Sequence, residues 1–297
     1  MEHPATLAID LGGHTISAAL VENGKIRHIS EEETHASREL APVTRQIRYL
    51  LDSFDVPEAP LGIGVPGFLD SSREILHSSP NFPTWRKVPL REYWQQELGR
   101  KVLVENDANC YALGEGFAGE ARGMKNYAVF TLGTGIGGGL VSEGRLIKGH
   151  HGMGGETGHI WTNHERLCGG GCAGKGHLES LAGADGIAKT ARALGLPEDV
   201  KTFWSLRKED PRAFEAWETV LTHLGGAIAS VMHLLDPQVV VLGGGISQAP
   251  GLKEALEEKI LPLLALPFRD VLNVRISSLR KEAPLFGGAS LWMKNLS

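Results

Sequence analysis

Asp107 stands at the exit of the apolar run Val102-Leu103-Val104, directly after Glu105 and Asn106. A carboxylate so placed can accept the proton of a hydroxyl group as that hydroxyl attacks an electrophile. The competing reading is a helix cap, because Ala108-Asn109-Cys110-Tyr111-Ala112-Leu113 reads as a helix start. Asp10 holds a similar place after Leu7-Ala8-Ile9 and precedes Gly12, Gly13, His14 and Thr15. It suits a position beside phosphates, holding Mg2+ through the metal's own water shell. Two more glycine runs come after apolar strands: residues 133–139, with Gly133, Thr134, Gly135 and Gly137, and Gly243-Gly244-Gly245. Backbone N–H groups without side chains beside them can cradle phosphate oxygens. Any one such loop reads equally as a tight turn; three at strand exits point to phosphate. A proton acceptor, a metal-holding carboxylate and phosphate loops are the parts that phosphoryl transfer to a hydroxyl needs.

Two familiar phosphate motifs fit poorly. Gly133, Gly135 and Gly138 match G-x-G-x-x-G, but that fingerprint needs a helix next, and residues 140–147 read as a strand and hairpin. Residues 169–175 approach the P-loop spacing, yet Gly176 stands where Ser or Thr is required and no strand precedes it.

A second constellation is metal-like. His159, Cys168, Cys172 and His177 supply two imidazoles and two thiols, with a C-x3-C-x4-H spacing and His159 nine residues upstream. That donor set suits a closed tetrahedral structural Zn2+ site, with His164 as a substitute ligand. The alternative is a glycine-rich loop in which the thiols are merely present. Cys110 reads as an inert core thiol.

These groups need scaffolding. Strands are expected at 7–11 and 16–21, the second of them running into the hairpin signal Asn23-Gly24. A helix fits 42–54, a strand 61–65, a helix 89–99 with Pro89 in its first turn, and a strand 102–104. Strands at 127–132 and 140–147 then repeat the first pattern, Leu132-Gly133 matching Leu11-Gly12, so the chain reads as an internal duplication. The rest is helical apart from strands at 238–242 and 272–277. Phe214, Trp217, Leu221, Leu224, Ile228, Val231, Met232 and Leu235 form one apolar stripe, read as core. The expected division is a small lobe of residues 1–118 with 284–297, the last helix crossing back, and a large lobe of 119–283 with the zinc segment.

Composition bounds the function. A formal net charge of −5 argues against nucleic acid as a partner. No apolar run is long enough for a membrane span, and the first residues lack a secretory signal. Three cysteines are too few for a disulfide scaffold, so a cytoplasmic location is expected.

The ordered motifs Asp10-Leu11-Gly12-Gly13, Glu105-Asn106-Asp107, residues 131–139, Gly155-Glu156-Thr157-Gly158-His159 and residues 241–245 resemble the ROK-family sugar kinases over nearly the whole chain. The resemblance implies an α/β, actin-like (ribonuclease H-like, duplicated) fold of two lobes, with sugar and ATP in the cleft between them. It implies that Asn106, Glu156, His159 and Glu179 line the sugar pocket with Asp107, that Gly67 and Asn81 edge it, and that residues 243–247 lie on the adenosine side. It also implies a homodimer, and phosphorylation of a hexose at its primary hydroxyl. Glucose to glucose 6-phosphate is the first expectation, with N-acetylglucosamine, N-acetylmannosamine or fructose as alternatives. The chain departs from the family in two places. His14-Thr15 comes after the first Gly-Gly where Thr-Lys or Thr-Asn is usual, and His177 and Cys168 alter the usual three-cysteine metal pattern. Three rivals remain. A repressor of the same family would need a DNA-binding segment before the first phosphate loop, where only about ten residues stand. A non-catalytic sugar sensor draws on the altered His14-Thr15, and an NAD-dependent enzyme draws on the glycine fingerprint.

Overall fold

Asn23 and Gly24 both take positive φ, 50° and 72°, which is the two-residue turn that matches the twist of antiparallel strands. They join Thr15–Glu22 to Lys25–Glu33, and Thr6–Leu11 pairs antiparallel with Thr15–Glu22 on the other side. Leu61–Val65 and Val102–Asn106 then add in parallel, giving one five-stranded sheet. The computed structural model describes residues 5–162, 164–168 and 174–293.

A second sheet repeats the order of the first. Its strands are Tyr127–Leu132, Ile136–Ser142, Arg145–Leu146, Val239–Gly243 and Val274–Ile276. In both sheets the order is third, second, first, fourth, fifth. Even the hairpin turn recurs, at Glu143 and Gly144 with φ of 53° and 76°. The duplication read from two glycine loops is therefore a duplication of topology. Strand boundaries differ from expectation where glycine blurs them. The second strand of this sheet starts at Ile136, not at 140, so Gly137, Gly138 and Gly139 are strand residues. A β-carbon on Gly138 would collide with the Thr157 hydroxyl, so small size is what that position demands.

Contacts divide the chain into two compact units: residues 1–124, 139–155 and 281–297 form one, and 125–138 with 156–280 the other. In the first, the sheet buries Leu7, Ile9, Ile63 and Val65 against Ile47 and Leu50 of the helix Leu40–Asp52 and Trp94 of the helix Leu90–Leu98. Pro89 is the residue before that second helix, not within its first turn. The helix Asp107–Ala118 packs against Ala283–Ser290 at backbone distance, since β-carbons on Gly114 or Gly287 would strike the carbonyls of Ala283 or Cys110. In the second unit the long helix Pro211–Leu235 buries Trp217, Leu221, Leu224, Ile228, Val231 and Met232, while Phe214 from the expected stripe is 48% exposed near the helix start. No described helix is long and apolar enough to cross a membrane.

Candidate active site

In the first unit, the strand Val102–Asn106 delivers its last residues straight into the helix Asp107–Ala118. Asn106 is the cap of that helix, its side-chain oxygen accepting the N–H of Asn109 at 3.1 Å. The capping alternative for Asp107 is thereby answered: the duty falls one residue earlier. Asp107 is half-buried, and its Oδ1 accepts the N–H of its neighbour Ala108 at 2.9 Å. Asn106 also donates through Nδ2 to the carbonyl of Gly67 at 3.2 Å, which draws Gly67 to the same turn. Gly67 has φ 124° and no room for a side chain against Ser78 and Ser79.

Asp10 lies near the end of the first strand, and the register sets Asp10, Ser17 and Glu31 opposite one another across three strands. Burial, then the charge of Asp107, then that of Glu31 push the Asp10 carboxyl up to about 7. A divalent cation there would restore its ionised form, so Asp10 fits an Mg2+-holding role. Glu31 itself is held below the usual carboxylate range by Lys281 at 3.1 Å, with help from Ser17. The phosphate-loop candidates Gly12 and Gly13 come next. Gly12 closes a tight turn on Thr15, its N–H reaching the Thr15 carbonyl at 2.8 Å, and Asn81 sits with its amide against the Cα of Gly13. His14 is exposed, while its carbonyl and that of Gly12 receive the N–H and hydroxyl of Thr34. Thr34 is a loop partner that no motif marks, since a lone threonine between strand and helix has nothing local to distinguish it.

In the second unit, Gly133, Thr134 and Gly135 form a short turn, with the N–H of Gly133 on the carbonyl of Gly135 at 3.0 Å. Glu179 seals the turn: its Oε2 accepts the N–H of Ile136 at 2.9 Å. Gly135 therefore faces the Glu179 carboxylate, where phosphate oxygens were expected. Gly137 donates to the Thr131 hydroxyl at 3.1 Å from inside the strand. Gly243 closes its strand, and Gly244, at φ 79°, has its Cα against Leu132; Gly245 is exposed with open space around it.

His159, Cys168 and His177 present ligand atoms within 4.8 Å of one another. Antiparallel bridges from Trp161 to His177 and from Leu167 to Lys175 fold the segment back on itself and bring them together. Desolvation and the neighbouring His159 hold the His177 imidazole below its ordinary value, so it is neutral and able to ligate. Two imidazoles and a thiol fit Zn2+. Cys172 lies outside the described residues, and His164 uses Nδ1 to accept the N–H of Arg166 at 3.1 Å. The sugar-pocket candidates abut this cluster. Glu156 Oε2 stands 3.3 Å from His159 Nδ1, and the Cys168 thiol donates to Glu179 Oε1 at 3.4 Å. Cys110 is fully buried, its thiol pushed well up by burial and by Glu105, Asp10 and Asp107.

The sequence profile of the ROK family matches residues 6–295. A glucokinase of Thermotoga maritima is 37% identical, covering 96% of each chain. Among solved structures, a ROK hexokinase from Thermus thermophilus superimposes with a TM-score of 0.84 at 32% identity, covering 96% of this chain and 97% of that one. A ROK family glucokinase from Streptomyces griseus, in complex with glucose and AMPPNP, gives 0.82 at 28% identity over 97% and 99%.

Proposed function

Because the chain belongs to the ROK family and has its actin-like fold, we propose that it is an ATP-dependent sugar kinase that phosphorylates the primary hydroxyl of a hexose, glucose first. The observation that carries the reading is the half-buried Asp107 carboxylate at the strand-to-helix turn, where Asn106 serves as the helix cap. Asp107 takes the hydroxyl proton as the oxygen attacks the γ-phosphorus, and the bond to ADP breaks. Asp10 would hold Mg2+, and when bound the metal would neutralise charge on the phosphates. The turns at Gly12-Gly13, at residues 133–137 and at Gly243-Gly244-Gly245 serve the nucleotide. Glu156, His159 and Glu179, with Asn106, hold the sugar hydroxyls, and Gly67 and Asn81 shape the edge.

Structural Zn2+ held by His159, Cys168, Cys172 and His177 belongs to the same reading. In that role the Glu156 carboxylate, 3.3 Å from His159 Nδ1, is the neighbour that would orient the ring. A homodimer in the cytoplasm completes it.

The test is a panel of hexoses with ATP and Mg2+, read by ADP release. Glucose should lead, followed by mannose, fructose and the N-acetylated hexosamines. Sugar binding without ADP release from any of them would replace the kinase by the sensor reading.

A further inference from the structure

We infer that Arg73 is a positioning residue for Asp107, acting through Glu105, an inference that rests on the catalytic role proposed for Asp107. Glu105 is 1% exposed and its two oxygens have separate tasks. Oε1 accepts the N–H of Asn106 at 2.9 Å and Nδ2 of Asn109 at 3.0 Å, so it grips the residues on either side of Asp107. Oε2 accepts Nε of Arg73 at 2.8 Å and lies 3.5 Å from Nζ of Lys148. Whatever holds Oε2 therefore fixes the carboxylate plane, and with it the strand-to-helix turn that aims Asp107.

Arg73 is built for that task at a visible cost. Its backbone is left-handed, φ 61°, a conformation glycine adopts without strain. What arginine adds at this position is its side chain. The residue is 7% exposed and its guanidinium ties three segments together: Glu105, the carbonyl of Asp70 at 3.0 Å and the carbonyl of Gly152 at 2.6 Å. Its Nη2 nitrogen is buried with no hydrogen-bond partner among the described residues. A buried ion pair with an unmet donor is a poor stabilising device, and strained residues of this kind gather at functional sites. The planar fork, which lysine lacks, sets an angle as well as a charge.

A double-mutant cycle tests this. Arg73→Lys keeps the buried charge and loses the fork. In the wild-type background it should lower kcat for glucose by at least about tenfold, with nucleotide affinity within about twofold. In an Asp107→Asn background the same change should cost less than about twofold, because the group it positions is gone. A role in folding alone would give equal losses in both backgrounds, and that result overturns the inference. So does unchanged kcat, and so does an Arg73→Lys protein that is unfolded at assay temperature while Arg73→Gly, relieved of strain, behaves alike. Wild-type protein that releases no ADP with any hexose would remove the catalytic reading itself, a distinct failure.

Discussion

The Glu179 carboxylate lies directly over the Cα of Gly135 and accepts the next N–H, that of Ile136, at 2.9 Å. A residue proposed for the sugar and a turn proposed for the nucleotide are thus in contact. Gly135→Ala places a methyl group where Glu179 Oε2 now sits, so the carboxylate must move. We expect KM to rise for both glucose and ATP, and stability to fall by about 1–3 kcal/mol. Steady-state kinetics with each substrate varied in turn would show it; a change in ATP KM alone would separate Glu179 from the sugar.

Asp107→Asn should leave glucose binding measurable by calorimetry while lowering kcat by at least about a hundredfold, the usual scale for a lost general base. Asn106 caps the helix in either case, so melting temperature should barely change. Near-normal turnover would take Asp107 out of the chemistry.

Asp10 gives a pH dependence. Its folded carboxyl is raised to about 7, above the ordinary 3.8, so the ligand-free fold favours the protonated form. The contribution is fully present below about pH 4 and is lost as pH rises through about 7. In EDTA, Asp10→Asn should melt close to wild type at pH 4–5 and increasingly above it toward pH 8, by about 1–3 kcal/mol at most. The variant should have lost its Mg2+-ATP turnover. A gap between the two melting curves that does not widen with pH would show that Asp10 is ionised in the free protein.

Protein purified without chelator should carry about one zinc per chain by elemental analysis, and Cys168→Ser should lose most of it. Because Glu156 touches His159 and Cys168 touches Glu179, glucose affinity should fall with the metal. Full glucose affinity in zinc-free protein would confine the cluster to local folding.

Much of the architecture is legible in the chain. The glycine pairs after Leu11 and Leu132 announce a duplication, because a loop with two glycines at the end of an apolar strand is hard to disguise. His159, Cys168 and His177 converge as their spacing implies. Other features are hidden for physical reasons. Glycines 137–139 look like loop residues, yet they are strand positions, Gly138 crowded by Thr157 and Gly139 by Ala112, and crowding from distant segments leaves no local trace. Asn106 and Asp107 are equally good caps by residue type; which one serves depends on where the strand stops. Arg73 and Lys148 are invisible because their partner, Glu105, lies far away in sequence and an isolated arginine in a polar loop reads as surface.

The close packing of Ala283–Ser290 on Asp107–Ala118 also sets an order of events during synthesis. Gly62, Gly114 and Cys110 meet carbonyls or glycines of a segment made long after them. As the chain leaves the ribosome, the first sheet can form early, but the helix bearing Asp107 must wait with one face bare until Ala283–Ser290 has emerged. A nascent chain stalled before residue 283 should therefore present that face to chaperones, and completion of the kinase's first unit should coincide with the arrival of the helix Ala283–Ser290.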